Sequence, residues 1–282
     1  MKISSIILTL TVAVAAALPS RAQSVTTTTT TTTTTVAEDE SRPVTGIYAL
    51  EFGGAYDFSN YLSPLFYRGT DFTFSGQWTK IFNHCPQRMV MRFESDINFQ
   101  LMHNPAKTAS MLGFTADFAW GLGVRFLPHP KWTVAVGGMV DIYGGALYLP
   151  RNGNNPVTAL ARASLQANAS ASFQFKMGRL PVTLVEEVRT PLLGAFFCPE
   201  YGETYYEIYL GNHKNLAHFG WPGNFFAINN QISLRLDFGR TAMTVGYRLD
   251  LNTFHANNLD AQTMRNSLVI GIIPGGLSGN RY

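Results

Sequence analysis

The sequence is poor in cysteine and in charge, and it has no apolar run long enough to cross a bilayer as a helix. Cys85 and Cys198 are the only cysteines in 282 residues. They form no CxxC pair, which leaves no zinc or dithiol redox spacing. Charged residues make up 14 % of the chain against the ~25 % usual in soluble proteins. Without a basic cluster, nucleic-acid binding has no electrostatic footprint. No HExxH or close HxH spacing marks a metal site, and no Gly-x-Ser-x-Gly elbow marks a hydrolase nucleophile. The longest apolar stretch, Ile6 to Leu18, falls short of the ~20 residues a helical span requires. These absences exclude a helical membrane protein and leave no cofactor or metal to expect.

The first residues fit export. Lys2 supplies positive charge ahead of the apolar stretch, and Ser20 and Ala22 put small residues at −3 and −1 of a cleavage site. Residues 1–22 therefore read as a secretory signal peptide, with Gln23 as the mature start, which is not a cysteine for lipid anchoring. Cleavage removes Lys2 and Arg21 from the 21 basic residues, leaving 19 against 18 acidic ones. Ten consecutive threonines, Thr26 to Thr35, precede Glu38, Asp39 and Glu40. With no apolar face to bury, residues 23–45 read as a disordered Thr-rich tether. The folded domain is expected over 46–282.

That domain is dominated by period-two alternation. In Arg88 to Met102, Met89, Met91, Phe93, Ser95, Ile97, Phe99 and Leu101 share one face. Arg88, Arg92, Glu94, Asp96, Asn98 and Gln100 share the other, and only a strand separates the two sets. Residues 157–176 repeat this with an alanine-rich apolar row facing Arg162, Ser164 and Gln166. Leu112 to Phe126 set a third apolar row against Thr115, Asp117 and Arg125. These segments exceed the ~5–6 residues of globular strands and reach the ~9–11 needed to cross a bilayer at a tilt. Connections alternate in length. Those at 83–87, 127–131, 177–180 and 239–240 are tight, and those at 59–69, 147–156, 213–224 and 255–263 are long. Aromatics at 13 % add to this. Such features predict an all-β, transmembrane antiparallel barrel with short periplasmic turns and longer outer loops. A soluble lipocalin-like barrel is the alternative.

Eleven strands are plain: 46–58, 70–82, 88–102, 110–126, 132–146, 157–176, 181–189, 204–212, 225–238, 241–254 and 264–273. Parity requires a twelfth, placed at 190–198 between turns at Thr190–Pro191 and at 199–202. The alternative is ten strands with 190–212 inserted into the lumen.

Tyr61-Leu62-Ser63-Pro64-Leu65, with Tyr67 and Gly69 behind it, resembles a segment of an uncharacterised Bacteroidetes outer-membrane barrel family of unknown function. Pro191-Leu192-Leu193-Gly194, Tyr205-Tyr206-Glu207 and Gly246-Tyr247-Arg248 extend the likeness. The resemblance implies an outer-membrane location and a barrel, and it supplies no activity.

Charge facing lipid near the midplane costs about 2–4 kcal/mol per Arg or Lys, so the charged face must point inward. Arg88, Arg92, Glu94, Asp96, Asp117, Arg125 and Arg162 are therefore the candidate lumen-lining residues. They either line a narrow pore for small hydrophilic solutes or fill a closed wall protein. A third reading is a surface-binding protein acting through aromatic outer loops, with Tyr61, Phe66, Tyr67, Phe219 and Trp221 as contacts. A lipid hydrolase lacks a recognisable Ser–His pair, so no enzyme activity is expected. The six histidines fall in turns or loops and read as solvated. Cys85 and Cys198, each before a proline and both assigned to periplasmic turns, are either bonded or free. Outer-membrane lipid is the expected partner, a small hydrophilic solute a further one. The glycine pairs 53–54, 137–138 and 144–145 fit bends or a crowded wall.

Overall fold

The computed structural model describes residues 44–82, 89–129 and 131–277. The signal, the tether, Cys85 and Arg88 lie outside the described residues. Eleven strands follow in chain order: β1 (Thr45–Ser59), β2 (Ser63–Ile81), β3 (Met89–His103), β4 (Ser110–His129), β5 (Trp132–Tyr148), β6 (Val157–Met177), β7 (Leu180–Phe197), β8 (Ala217–Gly220), β9 (Phe225–Asp237), β10 (Thr241–Ala256) and β11 (Leu259–Pro274). Among the described residues one short helix, α1 (Tyr205–Tyr209), lies between β7 and β8.

Each strand pairs antiparallel with its neighbours from β1 to β7. β7 then pairs with β9, and the ring closes through β10 and β11 back onto β1. Ten strands form the barrel. β8 lies outside this closure, bonded only to the last four residues of β7. Closure pairs every strand of the ring on both sides, although β7 and β9 part beyond Arg189 and Asn229, where β7 takes up β8 instead.

The ten-strand ring corrects the twelve-strand expectation at two places. Residues 180–197 are one strand, because the Thr190–Pro191 step is not a turn. The β6–β7 register shifts between Leu165 and Gln166, opposite Pro191 to Leu193, and this bulge absorbs a residue with no N–H to donate. Residues 204–212 are not a strand. The Thr204 hydroxyl accepts the Glu207 N–H, and the Glu207 carboxylate accepts the Thr204 N–H at 2.7 Å, a capping box that starts a helical turn. The ten-strand alternative had the count right but put 190–212 in the lumen, whereas 190–197 belong to the wall.

Two long loops also shrink. The expected 59–69 loop is a three-residue turn, since β2 begins at Ser63 and its first residues meet β1 across a register shift. The 255–263 loop is a two-residue hairpin in which Asn257 and Asn258 take φ of 53° and 59°. Two left-handed residues define the tight turn whose twist matches the strands it joins.

Both ends of the described chain lie at one end of the barrel, with the turns at 178–179 and 238–240. At the other end lie 60–62, 104–109, 149–156, the excursion 198–216 and the β10–β11 hairpin. Residues 199–202 therefore share an end with 213–224, contrary to the parity argument. Cys198 lies at the end away from the termini, and the question of its bond to Cys85 falls outside the described residues. Cysteine variants Gly202→Cys and Ala217→Cys should both be labelled on whole cells by an impermeant maleimide. Labelling at Ala217→Cys alone would restore the twelve-strand arrangement.

Outward positions carry apolar side chains around the ring. Phe52, Phe74, Phe114, Trp120 and Val140 each expose between 46 and 53 % of their surface. Inward positions carry Glu51, Asp96, Asp117, Asp141, Arg162, Arg189 and Arg248, all buried. An apolar outside around a charged inside is the reverse of a soluble barrel, which removes the lipocalin-like alternative.

Candidate functional site

The interior is built in three levels. At the termini end, Leu277 packs against Ile47, Ala242 and Ile273. Above it a cavity of about 180 Å³ is bordered by Arg92, Arg125, Glu187 and Arg235.

That cavity stops at a layer of ion pairs. Arg92 Nε lies 2.8 Å from Glu94, and its other arm meets Glu187 on β7, across the barrel. Arg235 reaches the same Glu187 at 3.1 Å. Arg189 stands at the centre: its guanidinium lies 2.8 Å from Asp117, 3.4 Å from Glu94, 3.7 Å from Asp141 and 3.8 Å from Asp96. Strands β3, β4, β5 and β7 are thereby joined through one side chain. Arg162 takes Asp141 at 3.0 Å and Asn252, and stacks 4.2 Å over the Tyr143 ring. Arg248 bridges Glu51 at 3.0 Å to Asp96, and Arg265 pairs with Asp250. Asp71 accepts from Asn98 at 2.8 Å and Ser267 at 2.7 Å. Within this layer a pocket of only about 40 Å³ remains, bordered by Glu94, Asp96, Arg189 and Arg248. It has room for little more than water.

Beyond the ion pairs the bore turns apolar. Tyr67, Met102, Met111, Tyr143, Leu147 and Leu160 point inward and pack together, buried. Phe196, Phe225, Ala227 and Leu259 close the other half of the cross-section, with Phe254 and Tyr61 against them. The Phe225 and Phe254 rings stack at 5.3 Å. The excursion 198–216 then covers this stopper. Tyr61 donates its hydroxyl hydrogen to the Glu203 carbonyl at 2.7 Å, and the Ala159 N–H donates to the Tyr205 oxygen at 2.6 Å. Asn257, from the β10–β11 hairpin, places its two-hydrogen Nδ2 within 3.0–3.2 Å of the Cys198, Pro199 and Asn215 carbonyls, which share its donors.

Burial, with the Asp260 charge nearby, pushes the Cys198 thiol up to about 11. In a Cys85→Ser background, Cys198 should react with maleimide at pH 7.5 on the order of 100-fold more slowly than an exposed thiol. Asn257→Ala removes the latch and should raise that rate toward the exposed value. An unchanged rate would mean that the excursion is held by other contacts.

Of the residues expected in the lumen, Arg92, Glu94, Asp96, Asp117, Arg125 and Arg162 all face inward and, apart from half-buried Glu94, are buried. Arg92 and Glu94 are in direct contact, and Arg162 lies 3.5 Å from Asp117. Alternation along the other strands marks the residues that went unnamed. Glu51 sits between Leu50 and Phe52, Asp141 between Val140 and Ile142, and Arg189 shares a parity with Glu187. The five proposed contact residues are not brought together. Tyr67 is buried in the stopper, Tyr61 sits beneath the excursion, and Phe66 stacks at 4.8 Å on Tyr56 on the outer wall. Phe219 and Trp221 are exposed, at 67 % and 56 %, beside the excursion.

His103, His213, His218 and His255 share the end away from the termini. Among the described residues no three His, Cys, Asp or Glu side chains assemble a metal-ligand set. His103 forms a contact that the sequence did not reveal: its Nδ1 lies 3.0 Å from the Ser110 hydroxyl on the outward face. Among the described residues no carboxylate hydrogen-bonds that imidazole, so the pair lacks the third member of a nucleophilic triad.

The fold is similar to several solved barrels. The transport unit of the autotransporter AIDA-I from Escherichia coli aligns with a TM-score of 0.42 at 7 % identity, over 85 % of this chain and 93 % of that one. The beta domain of the Bordetella autotransporter Brka gives 0.41 at 10 % identity, over 82 % and 99 %. The outer membrane protease OmpT from Escherichia coli gives 0.41 at 7 %, over 83 % and 97 %. At these identities no residue role carries over. No curated protein matches the sequence. The family model for a protein of unknown function, DUF3316, matches residues 6–275, and the chain belongs to that family.

Proposed function

We propose that the protein is an outer-membrane β-barrel that acts as a closed wall protein and not as a pore. The observation that carries this reading is Arg189, whose guanidinium lies within 3.8 Å of four carboxylates from three other strands in the middle of the bore. An apolar stopper and the excursion follow in series. Ten strands enclose a bore that side chains can fill, well short of the ~16–18 that leave an aqueous channel. The apolar outer surface supports placement in a membrane, and the export signal supports the outer membrane with the excursion outside the cell. Liposomes loaded with the reconstituted protein should swell in arabinose no faster than empty ones. Fast swelling would favour the narrow pore.

A surface-binding role is the second reading. Tyr201, Tyr206, Tyr209, Phe219 and Trp221 are each more than half exposed on the excursion or the β8 turn after it. Flat, rigid aromatics of this kind suit contact with a partner. Neither reading includes an enzymatic step.

A further inference from the structure

The end away from the termini is electrically divided. The connections at 60–62, 104–109 and 149–156 carry Lys107 and Arg151 and contain no aspartate or glutamate. Glu200, Glu203 and Glu207 sit on the excursion instead.

On the outward face of the basic side, Tyr56, Arg68, His103 and Ser110 form one cross-strand row, in the pairings Tyr56–Arg68, Arg68–His103 and His103–Ser110. The Arg68 guanidinium carbon lies over the Tyr56 ring, 4.8 Å from its centre, and Ser110 meets His103 at 3.0 Å. Arg151 is fixed above this row by its bond to the Thr108 carbonyl at 3.0 Å. Two residues closer to the termini, the same strands present Leu101 and Leu112. With Phe72, Phe99, Phe114 and the small Ala146 they border an outward groove of about 750 Å³. A polar, cationic row thus lies directly above an apolar channel in the wall.

We propose that this row and groove form a binding site for an anionic, phosphate-headed lipid, an inference that rests on the membrane placement proposed above. The acyl chain lies in the groove against Phe99 and Phe114. The phosphate lies against Arg68, with the His103–Ser110 pair supplying one further donor beside it, from whichever partner keeps its hydrogen free. A guanidinium presents two parallel N–H groups to phosphate oxygens, and its cation–π contact with Tyr56 restrains that fork before the lipid arrives. Lys107 and Arg151 add attraction for negative charge without any acidic neighbour on those connections to cancel it. Charge complementarity therefore selects a headgroup with uncapped negative charge over a zwitterionic one.

The test uses the full-length mature protein in phosphatidylcholine nanodiscs doped with phosphatidic acid, released for native mass spectrometry. The wild type should retain phosphatidic acid above its bulk fraction and should not retain diacylglycerol, which lacks the phosphate. Arg68→Gln should lower retention about tenfold, the loss expected for a charge-assisted contact. Lys80→Gln, on the same strand near the termini end, should change nothing. Equal retention by wild type and Arg68→Gln, or equal retention of diacylglycerol, would overturn the site. A folded, non-conducting barrel that retains no phosphatidic acid overturns this inference alone. A conducting barrel that retains it overturns only the closed-wall reading.

Discussion

Arg189→Met should lower the stability of the folded barrel by about 3–5 kcal/mol, the cost of removing one partner from a buried ion network. Arg189 faces Glu94, Asp96, Asp117 and Asp141 at once. Arg162 remains beside Asp117 and Asp141, and Arg248 beside Asp96, so the loss falls short of four naked charges. The measurement is the temperature at which the compact band on unheated gels converts to the unfolded one. Arg189→Lys should fall between the two, because an ammonium keeps the charge and loses the fork. An unchanged midpoint in Arg189→Met would mean that the network does not brace the wall. The smaller Arg92→Gln change should act in the same direction, since it frees Glu187 from one of its two arginines.

A larger loss is expected from Gly69→Val. A Cβ on Gly69 would stand 1.9 Å from the Leu101 carbonyl oxygen and 2.6 Å from the Met102 Cα, both backbone atoms of the neighbouring strand. Side chains can turn away, but a paired strand cannot retreat without breaking its ladder, so β2 and β3 would separate. The ordinary cost of an overpacked core is about 1–3 kcal/mol. Gly69→Val should exceed it and yield no compact band after refolding. Gly54→Ala is the control, because its Cβ would meet only the Asn266 side chain, at 3.5 Å. Normal folding of Gly69→Val would show that the two strands do not approach so closely.

The barrel was legible because lipid outside and charge inside impose strict alternation over long strands. Arg92, Glu94 and Asp96 against Phe93, Ile97 and Phe99 made the lumen face readable from one strand. The strand count failed where local chemistry contradicts the usual reading of a residue. Pro191 looks like a turn and sits in a bulge. Tyr205-Tyr206-Glu207 looks like strand and is helix, although Thr204-x-x-Glu207 carried the cap signature in plain view. Asn257-Asn258 could have been read as a two-residue hairpin, which would have shortened the last loop.

The partners within the lumen were not legible. That Arg92 meets Glu187 and Arg248 meets Asp96 depends on which strands face each other across the ring, and that follows from closure and not from any local pattern. The apolar stopper escaped notice for a related reason. Tyr67, Met102, Met111 and Leu147 continue the inward parity of charged residues lower on the same strands, so the inner face changes character partway along. Whether that change seals the bore depends on all ten strands making it at one level.

Single-channel recording in a planar bilayer tests the closed lumen most directly. Wild-type protein, shown to be inserted by protection of its strands from protease, should give no discrete current steps, and Arg92→Gln should give none either. Discrete steps from the wild type, with a reversal potential that Arg92→Gln shifts toward cations, would contradict the account.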